Sequence, residues 1–284
     1  MIIEAIRRFD IDFITIFNRA LSPASQHFVT VKMGTSVLAS QAEMDYELSK
    51  VDSLVVTRGI LRQLQLESHL QESITECIMR LFTIRNGRIC QSHKEVNEAH
   101  DNYQPRKSSI FLPPSAFQDL QENLKSRDEI IQLYFNIGGG QQQVNNVDSI
   151  IDKCYFIGKA HDSESVWILY LIDIELRTIR YVDARRSDTD VVSNALAEHL
   201  ALMKPIFIDF LRVLIPEYLG DWLCGLLSPY YFSPMTNNDY DSGLYIAAVI
   251  YFICNGVPLF FTTATITRLR VNMAYWLLVE ELPT

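Results

Sequence analysis

No lysine/arginine block occurs anywhere in the chain. The pairs Arg7-Arg8 and Arg185-Arg186 are too short to make an electrostatic footprint, and the formal net charge is -9. That balance speaks against nucleic acid as a partner and otherwise reports solubility. No CxxC pair joins the five cysteines Cys77, Cys90, Cys154, Cys224 and Cys254, and the lone CxxH spacing, Cys90 to His93, has no second pair beside it to suggest zinc. The expectation is therefore no metal and no cofactor. An odd number of widely spaced cysteines also makes no disulfide framework, which points to a reducing, intracellular setting, nucleus or cytoplasm. No apolar run is long enough to cross a bilayer. The longest, Leu244 to Cys254, fits a buried helix, so no membrane association is expected. The first residues, MIIEAIRRFDIDFITIF, are broken by charges and do not read as a signal peptide. No internal repeat is visible.

What is present is a globular composition. The 284 residues are 48% hydrophobic and 21% charged, ample for a core. Residues 1–50 read as an N-terminal helical extension that turns polar, with a break at Ser22-Pro23, and 51–284 as the main domain. Ile74, Cys77, Ile78, Leu81 and Phe82 recur at helical spacing, and Asn86-Gly87 is the expected stop. Residues 91–109 read as loop. A helix from Ser115, its expected N-cap, to Asn123 follows. The stretch GGGQQQVNN reads as a surface loop. Three strands come next: a short one at Cys154–Ile157, an apolar central one at Val166–Ile174, and an alternating one at Thr178–Asp183. The tight turn at 175–177 makes the last two a hairpin. Asp188 to Leu214 reads as a helix that Pro205 kinks or ends. Asp241–Asn255 and Thr265–Glu281 read as two more helices. The class is α+β.

Two places could carry chemistry. In an antiparallel pair the start of one strand lies beside the end of the next, so Val166 and Trp167 should neighbour Asp183. On pattern alone Asp183 is a strand-end carboxylate and Trp167 a core aromatic. The second place is Asp241-Ser242-Gly243, just before the long apolar segment. Either Asp241 or Ser242 can cap that helix, and Gly243 permits close packing. A helix N-terminus activates a thiol, but it does little for a serine without an adjacent base. His161, in the polar stretch KAHDSESVW, is the one histidine near the strand pair. His27, His93, His100 and His199 have no evident constellation around them.

These stretches resemble the ubiquitin-like-protein proteases, the SUMO-specific proteases and their relatives, which include the adenovirus protease. VWILYLIDIELRTIRYVDARR resembles their His-Trp strand and Asp hairpin. TNNDYDSGLYIAAVIYFICNG resembles their Gln-x-Asn-x-x-Asp-Cys-Gly nucleophile helix. FFTTATITRLRVNMAYWLLVEEL resembles their closing helix, with its arginine near the middle. The segment from Val56 to Phe82 resembles the opening helices, with His69-Leu70-Gln71-Glu72 where the family reads Trp-Leu-Asn-Asp. The resemblance spans Ser53 to Leu282. It implies a papain-like, adenain-like cysteine-proteinase fold, with a mixed central sheet flanked by helices.

The departures carry the functional expectation. Val166 stands at the position of the family's catalytic histidine, Ser242 at that of the cysteine, and Thr236 at that of the oxyanion-hole glutamine. Trp167, Asp183, Asn238, Asp241 and Gly243 match. Valine moves no proton, so base, thiol and oxyanion donor are lost together. The resemblance thus implies a pseudoprotease that binds or scaffolds. Trp167, Asn238, Asp241 and Gly243 would be its binding positions, and a ubiquitin-like modifier or another protein its partner. The alternative is a hydrolase that uses Ser242 with His161 as a displaced base. A third reading gives the binding to residues 1–50 and a partner unrelated to modifiers. Asp183, without an imidazole, should be solvated, bonded to backbone, or paired with Arg185 or Arg186.

Overall fold

The computed structural model describes residues 21–33, 44–65, 68–97, 108–122, 129, 151–185, 193–214, 221–226, 239–256, 259, 261–280 and 282. They fall into two compact units. A helical unit takes the residues up to Leu81 and those from Asp239 onward, and a sheet unit takes those from Phe82 to Leu226.

The helical unit opens with α1 (Pro23–Met33), where Ser22 Oγ accepts the Ser25 N–H and Pro23 takes the first helical position. A hairpin that the sequence reading missed follows: β1 (Glu47–Val51) and β2 (Leu54–Thr57), with Asp52 at φ 56° in its two-residue turn. The boundary expected at residue 50 falls inside β1. Thr57 caps the short helix α2 (Arg58–Arg62) by accepting the Ile60 N–H. The unit also holds the start of α3 (Glu72–Asn97), a 3-10 turn (Asp239–Asp241), α6 (Ser242–Cys254) and α7 (Thr263–Val279). Residues 242–252 of α6 are buried on every side, as an all-apolar helix must be. A reciprocal capping box between Thr262 and Thr265 starts α7. Its end is tied to the hairpin by Ser49 Oγ donating to the Leu277 carbonyl.

The sheet unit is built on five strands in the order β3-β4-β5-β6-β7. They are β3 (Ser108–Leu112), β4 (Ile151–Ala160), β5 (Ser163–Asp173), β6 (Thr178–Asp183) and β7 (Leu223–Leu226). The outer pairs are parallel and the two inner ones antiparallel, so the sheet is mixed and β5 is central. Arg177, at φ 53°, closes the β5–β6 turn. On one face Cys154, Phe156, Val166, Ile168, Tyr170, Ile172, Ile179 and Tyr181 form a core with α4 (Pro114–Gln121) and α5 (Asn194–Leu214). On the other face Phe82 of α3 stacks on Phe111, which stacks on Tyr155.

Several boundaries differ from expectation for physical reasons. α3 runs through Asn86-Gly87 to Asn97. The Asn86 side chain donates to the Ser109 carbonyl, and an interior glycine costs only about 1 kcal/mol, which tertiary packing overrides. Ser115 does not cap α4. Pro113 takes that place without a side-chain bond, and Pro114 opens the helix. Pro205 lies inside α5 and does not end it. β4 is longer than its apolar stretch because β5 pairs along almost its full length. GGGQQQVNN lies outside the described residues.

One glycine is required by packing. A Cβ on Gly158 would lie 2.7 Å from the Phe117 ring, which also packs on Phe156, Tyr170 and Phe207. Gly158→Ala should therefore destabilise the protein by about 2 kcal/mol through overpacking, read by urea unfolding. A loss under about 0.5 kcal/mol, the usual range of a surface change, would show that the ring is not held there.

Candidate functional site

In the sheet unit the hairpin register pairs Ile168 with Asp183, and Val166 and Trp167 immediately precede Ile168 on β5. On the β4 side the pairs Lys159↔Trp167 and Ala160↔Ser163 leave 164–166 unmatched. Val166 thus lies at a break in the β4–β5 register. Its side chain is fully buried in the α5-facing core. Trp167 is 1% exposed, and the ammonium of exposed Lys159 lies 3.3 Å from its ring centre, a cation–π contact on the ring face.

The Asp183 side chain is 0% exposed. Its Oδ1 accepts the Arg185 backbone N–H at 2.9 Å and Nε at 3.0 Å, and its Oδ2 accepts Nη2 at 2.7 Å. Nη2 also donates to Asp162 Oδ1 at 2.7 Å. Arg185 therefore holds Asp183 in a bidentate grip and joins it to the β4–β5 turn. Its bonds to Asp183 are the main reason it keeps its proton more firmly than an ordinary arginine. Of the partners expected for Asp183, the backbone and Arg185 are both used. Arg186 lies outside the described residues.

His161 occupies the same β4–β5 turn and is not alone. Its ring stacks on that of His199 from α5, with centroids 5.2 Å apart. The Tyr170 hydroxyl bonds His199 Nε2. The expectation that His199 has no constellation is thus corrected: it meets Tyr170, His161 and the edge of Tyr181. Burial and the neighbouring His161 lower the His199 pKa from its ordinary 6.5. No local spacing could have revealed this, because Tyr170 and His199 meet only through the packing of α5 on β5.

In the helical unit Ser242 is the first residue of α6 and is 0% exposed. Its Oγ donates to the Asp239 carbonyl at 2.8 Å. Ser242 is thus one residue inside the helix, not at its cap position. Asp241 occupies the N-cap position without making a side-chain cap. Its carboxylate is taken by Arg270 of α7. Asp241 Oδ1 accepts Nε at 2.9 Å and Nη2 at 2.7 Å. The same guanidinium donates to the carbonyls of Tyr240 at 2.7 Å, Gln65 at 2.9 Å and Ser68 at 3.2 Å. His69 packs on Tyr240 with ring centres 4.3 Å apart. Gly243 is buried beside Ser242. Thr236 and Asn238 lie outside the described residues. Among those residues no group of three or more His, Cys, Asp or Glu side chains gathers as a metal site would, and no helix is long and apolar enough to cross a membrane.

No protein-family model and no curated protein matches the sequence. Solved structures do. The chain superposes on SUMO protease Ulp1, with its catalytic cysteine oxidised to a sulfenic acid, at TM-score 0.60 and 17% identity, over 93% of this chain and 97% of that one. The C-terminal Ulp1 protease domain in complex with Smt3, the yeast orthologue of SUMO, gives TM-score 0.60 at 17% identity over 92% and 97%. The Ulp1-like SUMO protease catalytic domain of Chaetomium thermophilum gives 0.63 at 13% identity over 94% and 92%. The chain has the α+β fold of the Ulp1-like SUMO protease domain.

The Arg270 contacts make a direct prediction. Arg270→Met leaves Asp241 partly buried without its cation and should cost about 3 kcal/mol in urea unfolding. In a double-mutant cycle Asp241→Asn should recover a large part of that loss. A cost below about 1 kcal/mol, typical of an exposed ion pair, would show that the clamp is dispensable.

Proposed function

We propose that the protein is a catalytically inactive homologue of the ubiquitin-like-protein proteases, an intracellular binding or scaffold module. The observation that carries the reading is the state of Asp183. At the position where the resemblance expects an acid orienting a histidine, the carboxylate is sealed from solvent and held by Arg185, while position 166 offers only valine. A general base needs a group that accepts a proton within hydrogen-bond reach, and valine has none. The Ser242 hydroxyl adds support. Its proton is already given to a backbone carbonyl, whereas an attacking serine gives its proton to a base.

A ubiquitin-like modifier is the first partner to test, because the similar Ulp1 domain is seen with Smt3 bound. In this reading Trp167, Asn238, Asp241 and Gly243 remain the binding positions. Asp241 acts through the turn it holds with Arg270. Trp167 becomes available when Lys159 swings off its face. The domain doing this work is the one running from residue 51 onward.

Two measurements test the proposal. Purified protein is expected to give no turnover of fluorogenic modifier conjugates, and Val166→His with Ser242→Cys should not restore it while Arg185 holds Asp183, since such groups act as a unit. Steady cleavage lost on Ser242→Ala and on His161→Ala would overturn the proposal in favour of a serine hydrolase with a displaced base. Binding to a panel of free modifiers forms the second arm. Trp167→Ala, corrected for any unfolded fraction, should weaken binding by about 2 kcal/mol or more and Ser242→Ala should leave it near unchanged. The reverse ranking would sink the assignment of the binding positions.

A further inference from the structure

His161 and His199 lie outside anything the proposed function uses. The two rings tie the β4–β5 turn to α5, with a ring spacing of 5.2 Å and planes within 25° of parallel. The Tyr170 hydroxyl reaches His199 Nε2 from β5. His161 Nδ1 is buried and has no hydrogen-bond partner among the described residues. The next residue, Asp162, is one end of the Asp162–Arg185–Asp183 chain. We infer that His161 and His199 form an acid-sensitive latch, which fastens the β4–β5 turn to α5 at neutral pH and releases it, with Asp162, when His199 takes up a proton.

The geometry gives the mechanism. In the neutral tautomer with its proton on Nδ1, His199 accepts the Tyr170 proton at Nε2. Burial pushes the Tyr170 hydroxyl far above its ordinary range, so it keeps its proton. A protonated His199 carries an N–H on both nitrogens and no longer accepts, so the bond survives only if the hydroxyl turns its own proton away and accepts from Nε2 instead. A proton on His199 also sets a positive charge against the face of the His161 ring, in a half-buried site where that charge is poorly solvated. Among the described residues, the charged and titratable groups on the elements that meet the pair include Lys159 on β4, Asp162 in the turn, Glu164 on β5, Tyr181 and Asp183 on β6, Arg185 beyond it, and Glu198 on α5. The carboxylates of Asp162 and Asp183 are both engaged by Arg185.

The sign follows from linkage. His199 is lowered from 6.5 in the folded protein, so the unfolded or opened form binds the extra proton first. The latch is at full strength above pH 6.5 and weakens as pH falls from there through the lowered folded value. The inference stands apart from whether the protein cleaves or binds a modifier, and its test uses neither.

The test is amide hydrogen exchange of the full chain at about pH 7.5 and about pH 5.5, corrected for the intrinsic pH dependence of exchange. Exchange in the segment 158–163 and in the first turns of α5 should rise roughly tenfold at the lower pH, while α6 changes less than about twofold. His161→Gln, in the turn, and His199→Gln, which keeps an acceptor for Tyr170, should each abolish the rise. If one variant does not fold, the other decides alone. No rise in the parent protein, or an equal rise in a folded variant, would overturn the latch.

Discussion

A guanidinium out of water must satisfy its donors inside the protein, and the helical unit is arranged around that demand. The Arg270 side chain is 2% exposed, and its nitrogens are met by one carboxylate and by three carbonyls from two segments that are far apart in sequence. Burial of such a charge is tolerated only when these bonds are in place together. The turn before α6, the segment after α2 and the middle of α7 are therefore fixed relative to one another. His69 on Tyr240 completes the same corner. The position of Ser242 at the head of α6 follows from this clamp more than from any cap, because the Asp241 carboxylate is spent on Arg270 and leaves the first helical N–H groups to others.

The sheet unit solves a parallel problem with the same pair of side-chain types. Asp183 ends β6 with its carboxylate sealed from solvent, and Arg185, two residues on, folds back to bind both oxygens. In each unit an acid that the family resemblance links to chemistry is engaged by an arginine. Arginine suits this because its planar fork meets a carboxylate through two donors and does not lose its charge. The two acids can thus be matched in sequence to a catalytic pattern and still have structural work that explains their presence.

What could be read in the sequence was what repeats locally. Val166 to Ile174 announced a central strand because both faces of β5 are buried, and the turn at 175–177 fixed the hairpin and with it the neighbourhood of Asp183. The apolar run from Leu244 announced α6 for the same reason. Signals failed where a distant partner overrode a local preference. Asn86-Gly87 reads as a stop, but Asn86 bonds β3 and the helix continues. The β1–β2 hairpin is short, and β1 is held to the end of α7 through Ser49. The Arg270 clamp and the His161–His199 stack leave no spacing pattern, since their members come from separate elements. In the sequence the arginine stands out only as a feature of the closing helix, and nothing local marks His199.

Ser242 is where local and distant constraints meet. A helix N-terminus presents free N–H groups and a positive field, which would lower the pKa of a thiol and make it a nucleophile. A hydroxyl gains little from that field, because its proton leaves only when a base takes it. In this chain the proton points at the Asp239 carbonyl, within the turn that Arg270 holds through Asp241 and Tyr240. The carbonyl is an acceptor, not a base, so the bond stabilises the turn and does not activate the oxygen. Serine at this position therefore serves the same turn that Arg270 fastens, and the field of α6 acts on a group that has no charge to give it.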